Sequence, residues 1–233
     1  RPIWLKRCLR AIGQLDYPRF EITVVACPDG AGVARNMAVN QIIPFDTANI
    51  SAARNIGVAD ASGDVVAFID DDAVPEPTWL WHLAHGFEDP LVAQAGGTTL
   101  GRNGITVQHG AARVGSSGQS APVAHTGHEP VEITPEQGLY PRLHGTNMAI
   151  RRATILEHGG FDERYAFYLD ETDLSFRIAQ QAGKTLFVPK AVVHHASGPS
   201  QYRDDARTPR SVFEIAASAA VFHKTHCADA DTM

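Results

Sequence analysis

The chain has 233 residues, of which 44% are apolar, so it can bury the core of one substantial α/β domain. Its formal net charge is -6 and it lacks a basic run, which argues against a nucleic acid as main partner because nothing would neutralise the phosphates. Its three widely spaced cysteines argue against a disulfide scaffold. No apolar run approaches the roughly 20 residues needed to cross a bilayer.

The N-terminal part of the chain predicts alternating helices and strands. Apolar residues recur at helical spacing after Pro2, and residues 20–26 predict a buried strand. The strand is followed by a glycine-bearing segment, residues 27–32, which we predict to be a loop of the kind that binds nucleotides in α/β sheets or an ordinary turn. The first helix therefore packs on a sheet whose next loop is a candidate ligand contact.

A second helix is predicted to begin at Asn49 or Ser51, because either side chain can cap its first turn. Arg54 and Asn55 lie early on this helix. An arginine at this place can hold a phosphate or pair with a carboxylate, and both interpretations remain open.

Three consecutive carboxylates, Asp70, Asp71 and Asp72, follow a predicted buried strand at residues 65–69. Adjacent carboxylates repel one another, so a fold that gathers them at a strand end usually supplies a cation or several donors. Asp70-x-Asp72 suits a site for a metal and a diphosphate. It also fits the nucleophile loop of a haloacid-dehalogenase-type phosphatase, and a solvated acidic turn is the third interpretation.

The C-terminal half begins with a long irregular insertion, residues 101–137, of a length typical of binding loops or lids. A later helix begins with Asp170, Glu171 and Asp173, and three acids in four positions exceed what helix capping needs. A short strand then delivers a histidine pair that ends at His195. Because adjacent strand residues face opposite ways, one histidine of the pair is expected to point into a site.

Taken in order, these features resemble a family 2 glycosyltransferase of the GT-A fold. The resemblance covers residues 4–195 and rests on four groups of residues: Ser51-Ala-Ala-Arg54-Asn55-x-Gly57 with Ala61-Ser-Gly63-Asp64; Phe68-Ile-Asp70-Asp71-Asp72; Gly145-Thr-Asn147 with Gly159-Gly160-Phe161-Asp162-Glu163; and Asp170-Glu171-x-Asp173-Leu174 with His195. The chain departs from the family pattern in two places. The first nucleotide-binding strand is expected to be missing from it, and Ala26-Cys27-Pro28-Asp29-Gly30 stands where relatives carry Asp-Asp-Gly-Ser.

The resemblance implies an α/β fold with a Rossmann-like mixed, mostly parallel central sheet flanked by helices. It implies a glycosyltransferase domain over residues 1–199, with a nucleotide-sugar half at 1–99 and an acceptor half at 100–199. Residues 200–233 are then a C-terminal helical extension.

The implied activity is inverting transfer of a sugar from a nucleoside-diphosphate sugar, with UDP as the first expectation, to a hydroxyl of a glycan or lipid-linked acceptor. Mn²⁺ or Mg²⁺ is the implied cofactor. The implied site residues are Glu171 as catalytic base with Asp170 as the alternative, Asp72 and His195 for the metal, Asp29, Arg54, Asn55, Asp70 and Asp71 for the nucleotide sugar, and Gly145, Thr146, Asn147 and Asp173 for the acceptor.

The resemblance further implies a role in polysaccharide or cell-envelope glycan synthesis, in the cytoplasm and with peripheral association at the inner face of the plasma membrane. A non-catalytic module that binds a sugar nucleotide or a glycan is the main alternative, because the base-binding segment is altered. The phosphatase interpretation is weaker, because no Gly-Asp-x-x-x-Asp motif follows the acidic triplet.

Overall fold

The computed structural model describes residues 1–181, 183–204, 206 and 208–227, and it is a mixed α/β structure. The helices are α1 (Pro2–Ile12), α2 (Pro28–Ala34), α3 (Ile50–Asp60), α4 (Trp79–Gly86), α5 (Arg152–Glu157), α6 (Asp170–Gln180) and α7 (Phe213–His226). The strands are β1 (Thr23–Ala26), β2 (Gln41–Pro44), β3 (Val65–Phe68), β4 (Ala73–Pro75), β5 (Val92–Leu100), β6 (Val107–His109), β7 (Ala112–Val114), β8 (Ser120–Pro122), β9 (Val131–Glu132), β10 (Tyr140–Arg142), β11 (Met148–Arg151) and β12 (Lys184–His195).

The central sheet has the strand order β3-β11-β5-β12-β4, with β6 added to β5 and β9 to β12. β5 and β12 run parallel, and β1 and β2 form a separate parallel pair. β11 runs antiparallel to both of its neighbours, and β4 runs antiparallel to β12. The sheet is therefore mixed, as predicted, but fewer of its strand pairs are parallel than the expected fold would have.

The core lies on both faces of this sheet because successive side chains of a strand point to opposite faces. Met148 and Ile150 of β11 pack with residues of α3, α5 and α6, whereas Ala149 between them packs with α4. All three side chains are fully buried. The sheet thus forms the middle layer of a three-layer structure and fixes the ends of β3 and β12, where the polar residues of interest lie.

Most of the predicted elements are present, but the segment at 27–32 is not a loop. It forms most of α2, which begins at Pro28, where the missing N–H of proline is tolerated. Gly30 permits a close approach of this helix, since a Cβ there would lie 2.9 Å from the Cβ of Ala26. The short strand predicted to end at His195 is part of a longer strand, β12, which has 12 residues and whose register shifts between Val188 and Val192.

The C-terminal extension contributes α7, which packs against α6 through an edge-to-face contact of Phe176 and Phe222. None of the helices in the described ranges combines the length and the apolar character that a bilayer span requires. The predicted division at residues 99 and 199 stays a prediction, although β5 shares the central sheet with strands from beyond residue 100.

Candidate active site

The acidic triplet and the end of β12 meet because His195 is paired in register with Ala73, the residue after Asp72. Asp70, Asp72 and His195 place one potential ligand atom each within 4.8 Å of one another. The Nε2 of His195 lies 3.3 Å from the Oδ1 of Asp72 and 3.8 Å from the Oδ2 of Asp70. The register of β4 and β12 thus brings Asp72 and His195, the two predicted metal ligands, together with Asp70, a predicted nucleotide-sugar contact.

Two buried polar atoms of this cluster face each other. Asp72 and His195 are 2% and 5% exposed, and across the 3.3 Å between them neither Asp72 Oδ1 nor His195 Nε2 makes a hydrogen bond of good geometry with a described residue. Carboxylate oxygens and an imidazole nitrogen together suit Mn²⁺ and, with more oxygen ligands, Mg²⁺. The donor set therefore fits a divalent cation.

The second oxygen of Asp72 is held by the protein. Arg1 Nη1 lies 2.7 Å from Asp72 Oδ2, and the backbone N–H of Gly198 donates to the same oxygen at 2.7 Å. Arg1 also pairs with Asp71. Burial raises the pKa of Asp72, but His195, Arg1 and Gly198 outweigh it and bring the pKa to about 2. Asp72 is therefore ionised at neutral pH, as a cation ligand must be.

A second acidic pair begins α6 after an unusual turn. Tyr168 and Leu169 have φ angles of 77° and 66°, a left-handed conformation that bulky residues rarely adopt and that often marks functional sites. Leu169 is buried and anchors the turn. Asp170 and Glu171 follow at once as the first residues of α6.

Arg54 connects the two acidic groups. Its Nη1 pairs with Asp170, and its Nη2 lies 3.7 Å from the Oδ1 of Asp70. The guanidinium carbon lies 5.4 Å from the ring centre of Phe161, within the range of a cation–π contact. A side chain at Gly145 would collide with this guanidinium group, so the glycine leaves room for it. One buried arginine thus joins the cluster of Asp70, Asp72 and His195, called the cation cluster below, to the start of α6.

Comparison with known protein families identifies the family of this chain. The model of glycosyltransferase-like family 2 matches residues 2–213. The chain belongs to this family. Membership argues against the phosphatase interpretation of the acidic triplet, because the match covers the triplet and the segments on both sides of it.

Two relatives of this family 2 chain come from Mycobacterium tuberculosis. An N-acetylglucosaminyl-diphospho-decaprenol L-rhamnosyltransferase is 32% identical over 35% of this chain and 26% of the relative. A pre-mycofactocin glycosyltransferase is 30% identical over 62% of this chain and 29% of the relative. The chain thus spans less than a third of the length of these curated relatives.

Solved structures of similar fold include glycosyltransferases with bound donors. A mannosyltransferase from Pyrobaculum calidifontis, in complex with GDP-Man and Mn²⁺, has a TM-score of 0.62 at 20% identity over 87% of this chain and 55% of that chain. TarS from S. aureus, in complex with UDP-GlcNAc, has a TM-score of 0.61 at 15% identity over 94% of this chain and 62% of that chain. At these identities the likeness concerns the fold, and it confirms the predicted GT-A class.

The two acids at the start of α6 differ in access within this family 2 site. The side chain of Asp170 is 3% exposed and bound to Arg54, whereas that of Glu171 is 14% exposed and lies 3.8 Å from Arg142 Nη2. Burial raises the pKa of Asp170 against the opposing effect of Arg54, and the neighbouring Glu171 raises it further. Glu171 is therefore the acid that a ligand can reach.

Three of the predicted ligand contacts have side chains that are engaged within the protein. Asn55 donates to the carbonyl of Phe161 and accepts from its N–H. Asn147 accepts from Trp79 Nε1 and donates to two backbone carbonyls. Asp173 binds Tyr165, Arg177 and His226. The structure gives these three residues clear packing roles, and their ligand contacts stay predictions.

The remaining predicted contacts differ in their surroundings. Thr146 Oγ1 is buried without a partner among the residues that the structure describes. Asp29 lies exposed on α2. Asp71 pairs with Arg1, and its pKa is raised by burial despite that pair. Their roles as acceptor or nucleotide contacts also stay predictions.

Sequence reasoning missed several residues that surround the cluster. Arg1, Gln108 and Gly198 contact Asp71, Asp72 or His195, but no spacing pattern connects them along the chain. A cavity of about 290 Å³ opens beside Asp72 and His195 and is also lined by cationic and aromatic groups of distant segments, namely Trp4, Arg7, Arg102 and His194. Two arginines thus line a cavity that adjoins the cluster of Asp70, Asp72 and His195.

Proposed function

We propose that this chain is the catalytic domain of an inverting, metal-dependent glycosyltransferase that moves a sugar from a nucleoside-diphosphate sugar to an acceptor hydroxyl. The observation that carries the proposal is the cluster of Asp70, Asp72 and His195, whose potential ligand atoms lie within 4.8 Å of one another and which Arg54 joins, through Asp70, to Asp170 at the start of α6. This arrangement combines a place for a cation with an accessible carboxylate, and the reaction needs both.

The donor half of the proposal follows from charge. The leaving diphosphate gains negative charge as the glycosidic bond breaks, so a divalent cation held by Asp72 and His195 would stabilise the transition state more than the ground state. Asp70 lies beside these ligands and would orient the ribose or a water molecule. Asp29 is the proposed contact of the base or ribose, and UDP is the first nucleotide to test.

The acceptor half depends on a base. A sugar hydroxyl has a pKa far above neutrality, so a positioned carboxylate must take its proton as it attacks the anomeric carbon. Glu171 is the proposed base because it is more exposed than Asp170, which Arg54 occupies. Attack from the face opposite the diphosphate would invert the anomeric configuration.

The proposed acceptor is a glycan or lipid-linked saccharide of the cell envelope, at the inner face of the plasma membrane. The support is the similarity to the rhamnosyltransferase, whose name describes a decaprenol-diphosphate-linked sugar as its substrate. Residues 143–147 and the insertion between β5 and β10 are the chain segments proposed to contact this acceptor.

A donor panel tests the proposal. The chain is incubated with UDP-, dTDP- and GDP-sugars with and without Mn²⁺, and released nucleoside diphosphate is measured in the presence of candidate acceptors. Metal-dependent release from one donor is expected, and an inverted anomeric centre in the product would establish the stereochemistry. Metal-dependent donor binding without release would favour the non-catalytic module. The absence of both binding and release would contradict the proposal.

A further inference from the structure

Gln108 reaches the cation cluster through an irregularity in β6. Between Thr99 and Leu100, a step of one residue on β5 corresponds to two residues on β6, so Gln108 is an extra residue without a cross-strand partner. Such a bulge changes the direction of a side chain. Neighbouring strand residues normally point to opposite faces, yet the Nε2 of Gln108 lies 3.1 Å from that of His109. The bulge has turned Gln108 toward the end of β12.

The carboxamide of Gln108 touches the ring nitrogen of His195 that faces away from the acids. Its Nε2 lies 3.0 Å from the Nδ1 of His195 and 3.4 Å from the Oγ of Ser197. Its Oε1 is buried without a partner in the described part of the chain. Three polar atoms, His109 Nε2, His195 Nδ1 and Ser197 Oγ, therefore surround the nitrogen of the carboxamide. Its oxygen has no hydrogen-bond partner among the described residues.

The state of the His195 ring decides which end of this carboxamide is needed. A ring that binds a cation through Nε2 must be neutral and must carry its proton on Nδ1. That Nδ1–H needs an acceptor. The NH₂ group of Gln108 cannot be one, and the hydroxyl of Ser197 makes a longer contact with Nδ1, 3.4 Å against 3.0 Å for the carboxamide. Rotation of the carboxamide by 180° exchanges its two ends, because they are nearly equal in shape. The exchange gives the Nδ1–H of His195 an acceptor and gives the oxygen of Gln108 a partner.

His109 can follow this exchange without leaving its place. A neutral imidazole accepts at one nitrogen and donates at the other, so the Nε2 of His109 can face either the NH₂ group or the oxygen of Gln108. On this side of the carboxamide no polar atom loses its partner, and the NH₂ group moves to the end where the oxygen had none among the described residues.

We propose that Gln108 is a positioning residue for the cation site, whose side-chain oxygen accepts the Nδ1–H of His195 and keeps the lone pair of Nε2 directed between Asp70 and Asp72. This inference rests on the proposed function, because it takes His195 to be a cation ligand. It makes the insertion after β5 part of the cation site, although none of the predicted cation ligands lies in that insertion.

The test is calorimetric titration of Mn²⁺ into the metal-free chain and its variants. In Gln108→Met, which keeps the length of the side chain and removes the acceptor, Mn²⁺ affinity is expected to fall roughly 10- to 100-fold, the usual effect of losing such a partner. Gln108→Glu retains an oxygen acceptor and is expected to recover most of the affinity. Gln119→Met, at an exposed position of the same insertion, should bind as the unchanged chain does.

A second readout follows the proton itself. Long-range ¹⁵N–¹H spectra of the unchanged chain with Mg²⁺, with His195 assigned from His195→Gln, are expected to show its proton on Nδ1. A proton on Nε2 in a chain with bound Mg²⁺ would overturn the inference even if Gln108→Met failed to fold. Equal weakening in Gln108→Met and Gln108→Glu would also overturn it. Unchanged affinity in Gln108→Met would overturn this inference alone, whereas absence of Mn²⁺ binding in the unchanged chain would overturn the metal-dependent function as well.

Discussion

Arg54 of α3 forms an ion pair with Asp170 of α6, and both side chains are almost entirely buried. Removing one partner of a buried pair leaves the other charge uncompensated, which costs about 3–5 kcal/mol. Arg54→Met is therefore expected to lower the free energy of unfolding by about that amount. Urea denaturation measures the change, with Arg10→Met at an exposed position of α1 as the control.

The pair also predicts a compensation. The double variant with Arg54→Met and Asp170→Asn removes both charges, so its stability is expected to exceed that predicted by adding the two single effects. Strictly additive losses would show that Arg54 and Asp170 do not stabilise the fold through each other.

Glu171 provides the sharpest test of the catalytic assignment. Glu171→Gln keeps the shape of the side chain but cannot accept the proton of the acceptor, so kcat is expected to fall roughly 10²- to 10⁴-fold. Donor binding should persist, because the proposed donor ligands lie on the acidic triplet and on β12. Glu157→Gln, at an exposed position of α5, is the matched control. Full turnover in Glu171→Gln would reject Glu171 as the base.

Asp72 predicts a link between cation binding and stability. A ligand that binds only the folded state stabilises it by about 2.7 kcal/mol at 100 times its Kd. Mn²⁺ is therefore expected to raise the melting temperature of the unchanged chain and to have little effect on Asp72→Asn, whose amide is a much weaker cation ligand. The measurement is a melting curve at increasing Mn²⁺, with Asp64→Asn as control in the turn before β3. An equal Mn²⁺-induced rise of the melting temperature in Asp72→Asn and Asp64→Asn would mean that the cation binds elsewhere.

The sequence predicted the parts of this site that depend on local pattern. The apolar run before Asp70 forms β3 and the three acids begin α6, as predicted, because strands and helix starts leave short-range signals. The residues of β3 are half-buried, however, and not buried as predicted. The predicted cap of α3 is present too, since Asn49 Oδ1 accepts from the N–H of Ala52. These elements, with the order of the four motifs, were sufficient to predict the fold class.

The parts that were missed depend on tertiary contacts. The segment at 27–32 was predicted to be a loop or turn because it contains glycines. In the structure Gly30 allows α2 to pack closely against Ala26. Gln108 gave no signal, since a bulge is a property of strand pairing and not of one strand's sequence. Asn147 was identified from its motif, but only the structure shows that its amide joins β5, β12 and α4.

Two stacked histidines near the site predict how stability depends on pH. The rings of His109 and His144 lie 4.1 Å apart. Burial lowers the pKa of His144 to about 2 and that of His109 to about 4, and nearby positive groups contribute to both shifts. In the unfolded chain both would titrate near the ordinary pKa of about 6.5. Both imidazoles are therefore neutral in the folded protein at pH values where the unfolded chain is already protonated.

The sign of the effect follows from proton binding. Below about pH 6.5 these two histidines bind more protons in the unfolded chain than in the folded chain. Their contribution to stability is therefore complete above that pH and falls as the pH decreases toward 4, by up to about 1.4 kcal/mol per pH unit for each group. Urea denaturation at pH 7.5, 6.0 and 5.0 in metal-free buffer measures the slope. His144→Phe preserves the stacking but cannot titrate, so the slope is expected to decrease by up to one proton. Gln119→Met, at an exposed position that does not titrate, should keep it. An unchanged slope in His144→Phe would mean that this ring is protonated in the folded protein as readily as in the unfolded chain.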